Sequence, residues 1–272
     1  MKKAREGQAL LLLSLAAVTL VAPARAMPVS GGRLPLWLSQ RGDDVTTALL
    51  LEYYRVLPER RDGEDSKAWA ARLEDGLKRF KANVGGRYTE ATLQRLAESP
   101  SAQTRRAALL ALHLLGTMAS NEAVAAHLRD ENGQVRQMAA DALWALWFRA
   151  DTEENNKELQ RALQQPDPKK GLSVLSALIR QAPGFAEAYN QRAILYFQAQ
   201  EYDKCAADCR KVLELNKQHF GAAAGLARCY LRLRLPEPAL RAFRAAYRIN
   251  PNLEGVQDAI RDLESVLGDD GK

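Results

Sequence analysis

The sequence predicts an all-α chain, an α-solenoid of helix-turn-helix repeats. Three observations lead there. Ala and Leu are abundant while aromatics make up only 7% of the 272 residues, and Ala and Leu lose little on entering a helix. Apolar residues fall at helical spacing through most of the chain beyond residue 44. Two internal periods, of 31 and then 34 residues, recur along it.

Apolar residues make up 47% and charged residues 26%, the balance of a globular chain. The net charge is +6. Lys and Arg are interleaved with Glu and Asp along the helices, which is the pattern of solvated helix faces, so nucleic acid is not the expected partner. The three cysteines, Cys205, Cys209 and Cys229, are too few and odd in number for a disulfide framework.

The N-terminus reads as a signal peptide over 1–26. Lys2, Lys3 and Arg5 precede an apolar run from Ala9 to Ala22, Pro23 breaks it, and Ala24-Arg25-Ala26 fits a small-x-small cleavage site. The run is shorter than the ~20 residues of a membrane span. The chain is therefore expected to be exported, to a periplasm or beyond. If translation starts at Met27 instead, it is cytoplasmic. Residues 27–43, rich in Gly, Pro and Ser, read as a linker whose Leu36, Trp37 and Leu38 can dock on the body.

Helices are expected at Thr46–Leu57, with acidic Asp43 and Asp44 ahead of it, and at Lys67–Asn83, capped by Ser66 and ended by Gly85-Gly86. In the second, Trp69, Leu73, Leu77 and Phe80 share a face. From Thr89 the 31-residue shift pairs Leu93 with Val124, Arg105 with Arg136, Ala108 with Ala139, Leu112 with Leu143 and Leu115 with Leu146. Asp130 to Leu146, with Val135-Arg136 and Ala139-Ala140, resembles a HEAT repeat, although the unit is shorter than that class usually shows. Residues 44–150 are read as a HEAT-like helical domain.

The 34-residue shift pairs Ala193 with Ala227, Tyr196 with Tyr230, Cys205 with Ala239, Cys209 with Phe243, Val212 with Ala246 and Asn216 with Asn250. This period and these positions resemble the tetratricopeptide repeat. Residues 151–252 are read as such repeats, with Asp151 to Gly184 a degenerate first copy whose inter-helix turn holds Pro166 and Pro168. Residues 253–272 supply a capping helix and tail, Val256, Ile260, Leu263 and Leu267 lying on one face. Trp144, Trp147 and Phe148 are expected to be buried where the second half begins.

No catalytic set emerges, so no enzyme, cofactor or metal is expected. His113 and His127 lack metal-ligand spacing and a carboxylate on the same face, and the three histidines, His219 included, read as polar residues at helix edges. No phosphate loop or G-x-S-x-G occurs. Cys205 and Cys209, four apart, share a face. They read first as small buried hydrophobes, with a Cys209–Cys229 disulfide and metal or redox work as alternatives.

The tetratricopeptide resemblance implies a right-handed solenoid whose first helices line a groove for a protein or peptide partner. On that register Asn190, Ile194, Phe197 and Gln198 face the groove from one repeat, and Ala224, Arg228, Leu231 and Arg232 from the next. Chaperone-binding members grip a peptide C-terminus with Lys and Asn where this chain has Asn190 and Ile194, so that ligand is not implied. The expected function is an exported, non-catalytic scaffold or adaptor. The alternative is an accessory or assembly subunit of a cell-envelope enzyme or secretion complex.

Overall fold

The computed structural model describes residues 42–269. The signal peptide, nearly all of the linker and the last three residues lie outside them. Among the described residues the chain is all-α, with thirteen α-helices and no strand, in a helix-turn-helix repeat architecture. Its contacts cluster into two compact units. The first takes residues up to Gly116 plus Asn132–Ala142, and the second Thr117–Glu131 plus Leu143 onward. The expected boundary near 150 therefore falls inside the second unit.

The first unit holds α1 (Gly42–Arg55), α2 (Ser66–Gly85), α3 (Glu90–Ala97), α4 (Ala102–Leu115) and the start of α6 (Gly133–Phe148). Both α1 and α2 pack on α4, which serves as the shared inner helix. Leu50, Tyr54, Trp69 and Phe80 are buried, as are Ala107 through Leu112. Asp65, not Ser66, caps α2, its carboxylate accepting from the backbone N–H of Lys67 at 2.9 Å and Ala68 at 3.1 Å. Asp65 is preferred because its extended backbone leaves Ser66 to begin the helix. The 31-residue register is a burial register: Leu93 and Val124, Ala108 and Ala139, and Leu112 and Leu143 are all buried. Arg105 is buried too, at 7% exposure. Its guanidinium donates to the carbonyls of Ser99 and Pro100 at 3.0 Å each and so closes the α3–α4 turn.

The second unit holds α5 (Asn121–Ala126) between two short 3-10 turns, the rest of α6, α7 (Glu153–Leu163), α8 (Pro168–Gln181), α9 (Ala186–Gln198), α10 (Tyr202–Leu215), α11 (Phe220–Arg232), α12 (Pro236–Ile249) and α13 (Val256–Asp269). From α7 to α13 every helix packs on the next in sequence, and α9 also touches α11. Small residues make the tight crossings possible: Gly171, Cys205 and Ala239, one period apart, are all buried.

Two polar features repeat with the same period. Asn216 and Asn250 end α10 and α12 in extended conformation, and their side chains accept from the N–H two residues on, at 3.1 and 3.0 Å. Gln200 and Arg234 both take positive φ, 62° and 58°, between the helices of a pair. That conformation lets Glu201 and Leu235 donate to the carbonyls of Tyr196 and Tyr230 at 2.9 Å each, closing the end of α9 and α11. One period earlier stands Pro166, whose ring holds φ negative, so the α7–α8 turn cannot be built the same way.

A side chain at positive φ crowds its own backbone, and glycine does not. Gln200→Gly and Arg234→Gly should each raise stability by about 0.5–1 kcal/mol, after the larger entropy of the unfolded glycine chain is subtracted. Urea unfolding midpoints of the two variants test this. Midpoints that fall would show that the turns are held by the side chains themselves.

Candidate functional site

The groove residues named from sequence lie on α9 and α11, two helices in contact. Ile194 is 42% and Leu231 41% exposed, large apolar side chains left open to water. Gln198, Arg228 and Arg232 are exposed, and neither arginine makes a salt bridge among the described residues. Phe197 is half-buried, its ring 5.4 Å from that of Tyr202 in an edge arrangement. Asn190 departs from the expectation. It is 4% exposed, and its amide donates to Glu187 Oε1 at 2.9 Å, so it is spent inside the protein. Ala224 is buried as well. The surface thus starts one turn further along α9 and α11 than the repeat register implied.

Beneath it lies a buried polar network that the sequence did not announce. His219 and Glu187 are both fully buried, with His219 Nε2 3.0 Å from Glu187 Oε2. The other ring nitrogen, Nδ1, accepts from the N–H of Ala222 at 3.0 Å and caps α11. Nδ1 therefore carries no proton, and Nε2–H donates to the carboxylate. Glu187 Oε1 takes two further donors, Asn190 at 2.9 Å and Gln191 at 2.6 Å. A buried carboxylate is tolerable only with such a complement. The Trp147 ring stacks on His219 at 4.0 Å and 20°, and its N–H donates to Asn121 Oδ1 at 2.7 Å. Asn121 in turn donates to Asn216 Oδ1 at 3.1 Å.

Trp147 is buried as expected, whereas Trp144 and Phe148 are half-buried. Trp144 presses on the same loop. A Cβ on Gly221 would sit 2.6 Å from its ring, so any other residue here would force the indole to move. His219 is a structural core residue and not the helix-edge polar group expected. His127 also differs, because Asp130 Oδ2 lies 3.7 Å from its Nδ1.

The cysteines converge. Their sulfurs all lie within 4.8 Å of one another in the core between α10 and α11, and all three residues are buried. Cys205 and Cys229 form a disulfide across a Cα separation of 6.5 Å. Cys209 is free. The pair considered from sequence, Cys209–Cys229, is thus corrected to Cys205–Cys229. Burial, and then the charge of Asp208, push the Cys209 thiol up to about 12. It stays protonated and is a poor nucleophile toward the neighbouring disulfide. An ion pair braces α9 against α10. Arg192 binds Asp208 through two contacts of 2.8 Å. Its guanidinium lies 5.6 and 5.7 Å from the rings of Tyr189 and Tyr196.

Comparison with known proteins agrees with this repeat chemistry. The HEAT repeat family matches residues 89–178, and the tetratricopeptide repeat family matches residues 186–219. HEAT-like repeats in the N-terminal half and a tetratricopeptide repeat in the C-terminal half are both present. The HEAT match runs through α7 and most of α8, the pair that the 34-residue shift had assigned to a degenerate tetratricopeptide copy. A TPR repeat-containing protein of Rhizobium etli is 28% identical over 107 residues, 39% of this chain. The match spans about half of that relative's length, 52%. Among solved structures, the first TPR of Spaghetti bound to an HSP90 peptide is similar at 16% identity and TM-score 0.41, over 43% of this chain and 96% of that one. A thermophilic TPR protein of Thermus thermophilus is similar at 18% identity and TM-score 0.34, over 82% of this chain and 98% of that one.

Two outcomes follow from the core. Purified under non-reducing conditions and denatured, the chain should show one titratable thiol, and Cys205→Ala/Cys229→Ala should lose about 3 kcal/mol from the loosened unfolded chain. Three titratable thiols in the oxidised protein would refute the pairing. His219→Ala strips Glu187 of its ring partner and α11 of its cap, and should cost about 3–5 kcal/mol in chemical denaturation. A loss below about 1 kcal/mol would show that the two amides suffice.

Proposed function

We propose that this chain is an exported, non-catalytic scaffold that binds a polypeptide along α9 and α11. The observation that carries the reading is the pairing of Ile194 and Leu231, exposed on helices in contact, with Arg228 and Arg232, which make no salt bridge among the described residues. Exposed large apolar side chains supply area for a partner to cover, and guanidinium groups bind carboxylates through two parallel hydrogen bonds. Such a surface suits an extended or helical segment with apolar side chains and a carboxylate. The support beneath is fixed before the partner arrives, since Glu187 and His219 lock the start of both helices. Less ordering is then needed on binding.

Export is supported by the signal-like N-terminus and by the Cys205–Cys229 disulfide, a bond that persists in oxidising compartments. No described helix is long and apolar enough to cross a membrane.

The test is site-specific photo-crosslinking in a bacterial host expressing the chain from Met1. A crosslinking residue at 194 or 231 should capture the same prey. One at 214, on the exposed part of α10, should not. Arg228→Glu with Arg232→Glu should reduce capture at least tenfold, and the exported chain should begin at Met27. Equal capture from position 214 would remove the groove reading, and an uncleaved cytoplasmic chain would remove export.

A further inference from the structure

A second surface lies away from the α9 and α11 residues just described. Two open clefts meet along α12. One, of about 520 Å³, is lined by α5 and the turn after it, the α10–α11 loop and the end of α12. The other, of about 580 Å³, lies between α12 and α13. Arg248 lines both. Together their walls carry six cations, Arg129, Lys217, Arg241, Arg244, Arg248 and Arg261, against two carboxylates, Glu122 and Glu264.

The cations are not equally available. Arg244 is tied to Glu264 at 2.7 Å and Arg261 to Asp258. Arg129 donates to the backbone carbonyl of Arg248. Lys217, Arg241 and Arg248 are exposed and make no salt bridge among the described residues. Arg241 and Arg248 are two turns apart on one helix face, roughly 10 Å along the axis. Between and beside them the clefts present Ala245, Ile249, Tyr247 and Ile260.

We propose that this face of α12 binds an acidic polypeptide segment. In a polyproline II-like chain, with three residues per turn, carboxylates three residues apart share a face and lie roughly 9–10 Å apart, which matches the two exposed arginines. The residues between them would set apolar side chains on Ala245 and Ile249. A nucleic acid suits the site less well. Its unbroken phosphate charge would meet Glu122 and Glu264, and Tyr247, half-buried, is the sole aromatic in the two clefts on which a base could stack. This surface shares no residue with the one on α9 and α11, so either can fail alone.

The experiment is fluorescence anisotropy on the purified full chain. The probe is a labelled peptide of roughly ten residues with Glu at every third position and Ala and Leu between. Its comparators are the same peptide with Lys for Glu and a single-stranded oligonucleotide of equal charge. The Glu peptide alone should bind well, at least tenfold more tightly than either comparator. Arg241→Glu with Arg248→Glu should weaken it at least tenfold at an unchanged thermal midpoint. Arg228→Glu with Arg232→Glu, an equal change of charge elsewhere, should leave it within twofold. Absent binding, tighter binding of the oligonucleotide, or equal loss in both double variants would each overturn the proposal.

Discussion

The second unit is organised around one imidazole. His219 caps α11 through Nδ1, donates to a fully buried carboxylate through Nε2, and offers a face to Trp147. Each role constrains the others. Because Nδ1 accepts from Ala222, the proton must sit on Nε2, and the Nε2–H must find an acceptor in a place without water. Glu187 is that acceptor, and its remaining lone pairs draw in Asn190 and Gln191 from the same helix. The indole N–H of Trp147 then reaches Asn121 and, through it, Asn216. Residues from α5, α6, α9, the end of α10 and the start of α11 are thereby held together, the two hydrogen-bonded groups being joined by the Trp147–His219 stack and by the His219 backbone N–H donating to the Asn216 carbonyl at 3.1 Å. Hydrophobic contact alone would allow these helices to slide over one another, since it has no direction. The polar set is satisfied in this register, because each of its bonds has a direction.

This network stands in place of something simpler. One period before His219 is Phe185, and one period after is Leu253, both packed in apolar clusters. The repeat itself asks only for a large apolar side chain at that point. In the middle copy a histidine fills it, and the neighbouring Glu187 and the tryptophans of α6 answer it. The tetratricopeptide family match covers this copy and ends on His219. The repeat pattern therefore survives a polar substitution at a core position because the partners for both ring nitrogens lie within reach.

What the sequence made legible is what recurs. Burial at one face of a helix imposes a period, so the helices, the two repeat lengths and most of the core could be read from Leu, Ala and Val alone. The Asn216 and Asn250 match was equally visible, and the structure gives both the same job of ending a helix. Interactions between residues distant in sequence leave no such trace. Asn190 looked like a groove residue because the register put it on the first helix, yet Glu187, held inward by His219 from 32 residues away, had turned it inward. The cysteines show the same limit. Helical spacing placed Cys205 and Cys209 on one face, but only the approach of α11 decides which of the two meets Cys229. A closer use of the register would have found His219, since its period mates are both apolar.

The distribution of rigidity and charge in the second unit has a consequence for binding. The interior is stapled twice, by the Cys205–Cys229 bond from the central repeat to the next helix and by the Arg192–Asp208 pair within the central repeat; the cysteines and Asp208 are buried and Arg192 half-buried. The arginines of the two proposed surfaces lie elsewhere. Arg228 and Arg232 stand on α11, and Arg241 and Arg248 on α12, all exposed. A cation held on a braced helix keeps its position relative to its neighbours, whereas one on a loose segment must be ordered by the ligand at a cost of about 0.5–1.5 kcal/mol for each immobilised side chain. Helices that are already fixed confine that cost to the side chains alone. Two such pairs on consecutive helices, each beside apolar surface, are the two surfaces proposed above, and on that proposal neither requires the repeat to rearrange for an acidic and apolar partner segment.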